Sequence, residues 1–341
     1  MNDSSQTTLL TWSPSPHVKR QTSTKKIMQN VCIALIPACV MGVVYFGLQA
    51  LLILTLALFS AVASEFVFLL IAGKSFKQIA KQFDYTSCVT GLLVGMTIGT
   101  NYPWYAPIFG SAFAVIVVKM LFGGTGKNLA NPAIVGRIFI FMSFQSVAGA
   151  WLFPFIGAIA SGSGASVSTG ATVLEGLLKG EGVALSNWDL LLGTGLRGCI
   201  GETCKVALIA GGIYLAARKI INPLHPIIYI AVEGLFAVCL AGFDFGVFLP
   251  SILSGGLILG AIFMATDYVT TPNTKLGNII YFIALGLLTA GLRAATKMEV
   301  VSFAILLMNL LVPLIDKFIV QRPFGYVKEK KIKAEKAAKN G

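Results

Sequence analysis

Charge is scarce in this sequence. Of its 341 residues only 12% are Asp, Glu, Lys or Arg, about half the share that covers the surface of a water-soluble domain. A single soluble globule is therefore excluded. Metal-ligating residues are equally sparse. The two histidines, His17 and His225, have no neighbours that suggest haem ligation or a catalytic triad, and both read as structural. Cys32, Cys39, Cys88, Cys199, Cys204 and Cys239 form no C-x-x-C, so neither a zinc site nor an iron-sulfur ligand set is supported. Gly123–Asn128 (GGTGKN) lacks the order of a phosphate-binding loop, which excludes an ATP site of that kind. The polar start, Met1 to Lys26, has no short apolar core with a small-residue cleavage site and reads as retained on the chain.

What is abundant is apolar side chain: 56% of residues, with a mean hydropathy of +0.81. Roughly 190 apolar residues would fill eight to ten membrane spans at about 20 residues each. The net charge of +12 is terminal, with eight of the 26 basic residues at or after Lys317 and four at or before Lys26. That distribution suits cytoplasmic flanks under the positive-inside rule. It does not suit a nucleic-acid face, where basic and aromatic residues interleave.

The expected fold is an all-α polytopic membrane protein. A cytoplasmic tail (1–26) precedes a first transmembrane half (27–153) with helices over 27–72 (two, broken near 47–50), 87–100, 106–122 and 133–153. An external Gly/Ser-rich loop (154–187) leads to a second half (188–320) with helices over 190–217 (interrupted at Gly195 and Gly198), 226–240, 245–265, 276–292 and 300–319. A basic cytoplasmic tail (321–341) ends the chain. About ten spans with both termini cytoplasmic satisfy the charge rule, the segments at 87–100 and 190–200 being either spanning or re-entrant. A faint repeat supports two five-helix units: GLLVG at 91–95 with Thr100-Asn101-Tyr102, and GLILG at 256–260 with Thr266-Asp267-Tyr268, each followed by a proline, Pro103 and Pro272. Broken segments in matching positions put half-helix ends near the midplane, where they bind ligands or ions.

The external loop contains Ser168-Thr169-Gly170-Ala171-Thr172. By composition this is a turn whose hydroxyls can cap a following helix over 173–179. Three further stretches give it a second meaning: Gly123 to Pro132 (GGTGKNLANP), Gly198 to Thr203 (GCIGET), and Ala265 to Pro272 (ATDYVTTP). With that loop, in this order and at this spacing, the chain over about residues 25–325 resembles RnfD, a membrane component of the Rnf ion-translocating oxidoreductase. RnfD is homologous to NqrB of the sodium-pumping NADH:quinone oxidoreductase.

The resemblance implies a urea-transporter-like fold and a place in the inner (cytoplasmic) membrane. It also implies FMN joined by a phosphoester to Thr172, the last threonine of the S/T-G-A-T motif formed by Thr169, Gly170, Ala171 and Thr172. A second, non-covalent flavin such as riboflavin is implied as well, with Asn128 and Asn131 as candidate contacts. Those two asparagines otherwise read as residues that satisfy backbone groups at a tight turn. The family pattern usually has Asp three positions before the motif, where this chain has Ser166. Implied partners are the other Rnf proteins, RnfA, RnfB, RnfC, RnfE and RnfG, with RnfG as electron donor. The implied function is a flavin-carrying component, inactive alone, of a complex that couples ferredoxin–NAD electron transfer to Na+ or H+ translocation. The alternatives are an NqrB-type protein, which usually has a longer N-terminal region, and a flavin-free transporter or channel.

Acids in apolar surroundings are candidates for ion passage, since a charge in hydrocarbon is costly unless paired or hydrated. Glu65, Glu202, Glu233, Asp244 and Asp267 qualify. Glu202 and Asp267 lie in the interrupted segments and, with Glu65, are the chosen candidates. The competing reading is a structural pair with Arg197, Lys205 or a base on another helix.

Overall fold

The computed structural model describes residues 23–147, 151–152, 169–170, 174, 176–177, 186–194 and 197–320. Helix α1 (Thr24–Phe46) starts where the Ser23 side chain accepts a hydrogen bond from the Lys26 N–H, and it stops at Gly47. One residue later α2 (Leu48–Ile71) begins, so the expected break over 47–50 narrows to a single glycine. A short helix, α3 (Phe76–Gln82), occupies what the sequence suggests is only a basic loop. It is started by a reciprocal cap between Ser75 and Gln78, a pattern that satisfies two backbone donors at once.

Helix α4 (Thr86–Met96) has eleven residues, about 16 Å at 1.5 Å per residue, too short to cross a bilayer by itself. Helix α5 (Ala106–Met120) widens over Ala114–Met120 into a π-helix. Helix α6 (Pro132–Ser143) is opened by Asn131 as N-cap and by proline at its first position. A two-residue strand β1 (Trp151–Leu152) then pairs antiparallel with β2 (Thr169–Gly170), Trp151 opposite Gly170 and Leu152 opposite Thr169.

The helix expected over 190–217, with interruptions at Gly195 and Gly198, is broken over a longer stretch than those two glycines. Helix α7 (Asn187–Leu192) ends at Gly193, and α8 (Lys205–Ala217) resumes after a strap that includes one 3-10 turn, Ile200–Glu202. Helix α9 (Leu224–Leu240) follows. The segment expected as one helix over 245–265 is a bent pair: α10 (Phe248–Leu253), entered by a 3-10 turn at Phe245–Val247, and α11 (Leu257–Met264), with 65° between the two arms. Helices α12 (Lys275–Thr296) and α13 (Val301–Phe318) complete the described chain.

By length and hydropathy α1, α2, α12 and α13 can each cross a membrane, and the bent pair makes a fifth span if its arms are taken as one. The other apolar helices are shorter. Polarity is inverted relative to a soluble protein. Leu48, Phe59 and Ile71 are 81%, 74% and 82% exposed, whereas Lys119, Lys205, Arg293 and Glu233 are no more than 2% exposed. An apolar sheath around a charged interior is the arrangement hydrocarbon imposes, because there only the interior can supply a charge with partners.

Helix approach depends on small residues, as expected where lipid is as apolar as leucine. A β-carbon on Gly91 would lie 2.8 Å from the Ala57 carbonyl oxygen, so α4 packs directly on the backbone of α2. At Gly211 a β-carbon would collide with the Ala34 carbonyl oxygen, which sets the crossing of α1 and α8. Helix α1 packs against α8, and α6 against α13.

Candidate functional site

The turn between α5 and α6 needs glycine. Gly123, Gly124 and Gly126 have φ of 105°, 92° and 88°, which only a residue without a β-carbon adopts at little cost. Its Thr125 hydroxyl donates to Asp84 Oδ2 at 2.6 Å, and the Thr86 N–H and hydroxyl donate to Asp84 Oδ1 at 3.0 and 2.6 Å. Burial pushes the Asp84 carboxyl up, but the Thr125 and Thr86 hydrogen bonds and the Lys119 ammonium outweigh it and hold the group below the ordinary carboxylate range. This links the turn to the start of α4.

Behind it, Lys119 in the π-helical turn of α5 pairs with Glu65 Oε1 of α2 at 2.9 Å. The same ammonium donates to Ser87 Oγ at 3.1 Å and to Thr86 Oγ1. All three of its protons are thus used. Glu65 Oε2 is buried without a hydrogen-bond partner among the described residues. The π geometry aims Lys119 inward, and such insertions recur at functional sites.

These groups border a cavity of about 100 Å³ between the two halves of the chain. Its polar side carries Lys119, Thr125, Asn128, Asn131 and Asp267. Its apolar side is formed by Val31, Leu93, Leu215 and Phe263 among others. A second cleft of about 600 Å³ shares Ile220, Ile221, Thr266 and Tyr268 with it, and adds Asn222, His225, Thr271 and Asn278. The structure therefore brings Asp267 to the neighbouring Asn128 and Asn131, far from it in sequence, with Glu65 attached through Lys119. Asp267 accepts from Val269 N–H at 3.5 Å and Thr270 Oγ1 at 3.3 Å. Burial raises its pKa against the lowering effect of those bonds.

Asn131 is committed to structure. Its Oδ1 accepts from Ala133 N–H at 3.0 Å, and its Nδ2 donates to the Met264 carbonyl at 3.1 Å, joining the α6 start to the end of α11. With the Asn309 amide oriented to satisfy both its atoms, Asn309 accepts from Asn131 N–H and donates to the Thr270 carbonyl, each at 3.2 Å. Asn131→Ala removes a cap and a bridge between halves, each worth about 1 kcal/mol. The expected result is a loss of stability of about 2 kcal/mol, read as a lower unfolding midpoint, and an unchanged midpoint counts against the bridge. Asn128 Nδ2 donates to the Ala130 carbonyl at 3.0 Å, and its side chain stays at the cavity wall.

Glu202 lies in a different place, at the helix breaks. Its Oε1 faces Arg137 Nη2 of α6 at 3.6 Å, a base on another helix. Lys205 Nζ donates to the Glu202 backbone carbonyl and, at 2.9 Å, to the Gly255 carbonyl at the bend between α10 and α11. The strap is also tied to the loop after α4, by Ile200 N–H to Ile98 O at 3.1 Å and Cys199 Sγ to Thr97 O at 3.0 Å. On the far side of the bend Arg293 pairs with Glu233 Oε1 at 2.6 Å and Glu299 Oε2 at 2.9 Å. One strap thus holds both interrupted segments. Among the described residues no group of three or more His, Cys, Asp or Glu could hold a metal ion.

Of the expected flavin motif, Thr169 and Gly170 form β2. Ala171 and Thr172 lie outside the described residues, and Leu174, just beyond them, is buried. The sequence reading does not single out Lys119 or Arg137. The signal available there is a lone lysine in the apolar run 114–122 and a lone arginine in 133–142, each of which is a functional or paired residue by default at membrane depth.

Comparison with known proteins gives one consistent result. A model described as the NQR2, RnfD, RnfE family matches residues 11–325. The D subunit of the Na+-translocating ferredoxin:NAD+ oxidoreductase complex of Acetobacterium woodii is 40% identical over 326 residues, covering 94% of this chain and 97% of that protein. The D subunit of the proton-translocating ferredoxin:NAD+ oxidoreductase complex of Clostridium ljungdahlii is 36% identical, covering 93% and 96%. The D subunit of the ion-translocating oxidoreductase complex of Stutzerimonas stutzeri is 33% identical, covering 89% and 93%.

Proposed function

This chain belongs to the NQR2, RnfD, RnfE family, and from that membership we propose that it is the flavin-bearing membrane component of an Rnf-type complex. The complex couples electron transfer between ferredoxin and NAD+ to translocation of Na+ or H+. The observation that carries this reading is similarity along nearly the whole chain to proteins whose names state that activity, one with Na+ and one with H+. The chain works within an assembly with RnfA, RnfB, RnfC, RnfE and RnfG, the last being its electron donor.

In this reading the chain crosses the inner membrane about ten times. The first five-helix unit (27–153) contributes α1, α2, α4, α5 and α6. The second (188–320) contributes α8, α9, the bent pair α10–α11, α12 and α13. The pairing of α1 with α8 and of α6 with α13 supports a two-fold relation between the units. The position of α4 matches that of the bent pair, each being the third element of its unit. Both termini (1–26 and 321–341) are cytoplasmic and the 154–187 loop is external, in keeping with the charge distribution.

The loop carries FMN on Thr172, because a threonine hydroxyl can form a phosphodiester with the FMN phosphate and leave the isoalloxazine ring free. The cavity between the units and the adjoining cleft, about 100 and 600 Å³, together take a second, non-covalent flavin such as riboflavin, for which the cavity alone is too small. The residues there suit that group in their chemistry: an apolar wall with Phe263 and Leu93 for the ring, Asn128 and Thr125 for its polar edge, and Asn222 and Thr271 in the adjoining cleft for a hydroxylated chain. A flavin bound there supplies one- and two-electron redox chemistry that no side chain offers. The chain's own work is to orient that group, exclude water from it and surround it with fixed charge. Glu65, Asp267 and Glu202 remain the acids through which an ion passes.

The test is intact-mass and peptide analysis of this chain from a complex matured in its native host. An FMN adduct on the peptide containing Thr172 is expected. A chain with no adduct removes the covalent flavin and leaves the transporter reading as the better one.

A further inference from the structure

We propose that Lys119 is the positioning residue that sets the charge of the cavity's occupant, favouring that occupant's electron-rich, reduced form. The inference rests on the reading of the cavity as a flavin site and goes beyond it. Four observations carry it. Lys119 is 2% exposed yet lines the cavity. It is locked in place by three hydrogen bonds, to Glu65, Ser87 and Thr86, so its charge is preorganised and does not need to move when an electron arrives. It stands in a π-helical turn that re-aims it. Its direct counter-charge is Glu65 at 2.9 Å, on the α2 side; Asp84 at 3.9 Å is held mainly by threonine hydroxyls, and Asp267 lines the cavity from beyond the end of α11.

Fixed charge held in a buried position acts strongly because the dielectric response there is smaller than in water. One electron added to the occupant, delivered by the complex's own donor, adds one negative charge. Lys119 offsets that charge with no bond made or broken and no proton transferred. Glu65 has the opposite sign of effect, since it draws the ammonium's field back toward α2, and its second oxygen is unpartnered among the described residues. A brace that merely holds α2 to α5 would not distinguish these two signs.

The experiment uses the whole purified complex with Lys119→Met, Lys119→Arg or Glu65→Gln in this chain. Acid-extractable riboflavin and FMN are counted separately, and the non-covalent flavin's absorbance change is titrated against potential. Lys119→Met is expected to weaken reduction at least tenfold, or about 59 mV for a one-electron couple. Lys119→Arg restores the potential, and Glu65→Gln shifts it the other way. If Lys119→Met loses the extractable flavin while Lys119→Arg keeps it, the charge also holds the ring, and the potential in Glu65→Gln decides: a shift toward easier reduction supports the assignment and an unchanged potential overturns it. Retained flavin with an unchanged potential in Lys119→Met overturns it. So does loss of flavin from both Lys119 variants in an otherwise assembled complex, which marks a brace. Absence of extractable flavin from the unmodified complex is a separate result, and it removes the reading of the cavity itself.

Discussion

Arg293→Met is expected to lower the stability of the chain by about 3–5 kcal/mol, the cost of leaving buried charges without their partner. A folded domain has only about 5–15 kcal/mol in total, so the variant complex should accumulate poorly in membranes and unfold at a markedly lower temperature. The reason is the number of groups one guanidinium serves. Arg293 is 1% exposed. It pairs with Glu233, which is fully buried, and with Glu299. It also donates to the Ser251 and Ser254 carbonyls at 3.1 and 3.4 Å, at the C-terminal end of α10 where the helix leaves carbonyls without partners. Lysine at 293 should rescue only partly, since a single ammonium cannot reproduce the planar fork that reaches two carboxylates and two carbonyls. Combining Arg293→Met with Glu233→Gln should recover part of the loss, because one stranded charge is then removed. Melting of the purified complex, together with its abundance in membranes, checks this. A wild-type melting temperature in Arg293→Met shows that the network does not hold the bend.

Thr172→Ala is expected to abolish covalent flavin on this chain while leaving its membrane helices folded. The effect is all-or-none because the phosphoester needs a hydroxyl oxygen and alanine has none. Thr172→Ser keeps the oxygen and should keep at least part of the adduct. A denaturing gel viewed under ultraviolet light separates the two, since a covalent flavin survives denaturation and still fluoresces. Expression must include a flavin transferase. Ser166→Asp, which restores the residue usual at that position of the family pattern, should raise the modified fraction. Fluorescence of unchanged intensity in Thr172→Ala would move the attachment to another hydroxyl, Thr169 being nearest in the motif. Full complex activity without the adduct would make this chain a structural component.

Much of the scaffold is legible in the sequence because hydrocarbon constrains composition so strongly. The apolar runs behind α1, α2, α12 and α13 are long, and their ends fall within a few residues of the expected ones. The interrupted segments are harder to read. The glycines at 195 and 198 mark an interruption within 190–217, but the extent of the strap between α7 and α8 is not legible, because the strap is stabilised by contacts far along the chain, such as Ile200 to Ile98. The short α3 escapes a reading by composition for the opposite reason. Its Ser75–Gln78 cap is visible in the sequence, but the charge of the neighbouring lysines points to a loop.

The candidate site divides in the same way. The turn at 123–131 stands out by its glycines, and Asp267 by being an acid beside an apolar run. That they share a cavity with Lys119 is a property of the packing. The buried pairs Lys119–Glu65 and Arg293–Glu233 join residues 54 and 60 positions apart.

Composition alone determined that this protein belongs in a membrane and that its basic residues gather at the two ends, because both depend only on how many charged and apolar residues each stretch contains. The proposed acceptor motif is read from residue order. The tertiary structure alone decided which base neutralises which acid, and which of the interrupted segments are bound to one another. Helical periodicity specifies neighbours three and four residues apart. Partners on different helices are chosen only when the backbones close to contact distance, and desolvation then favours a buried charge that meets an opposite charge or hydrogen-bonding groups.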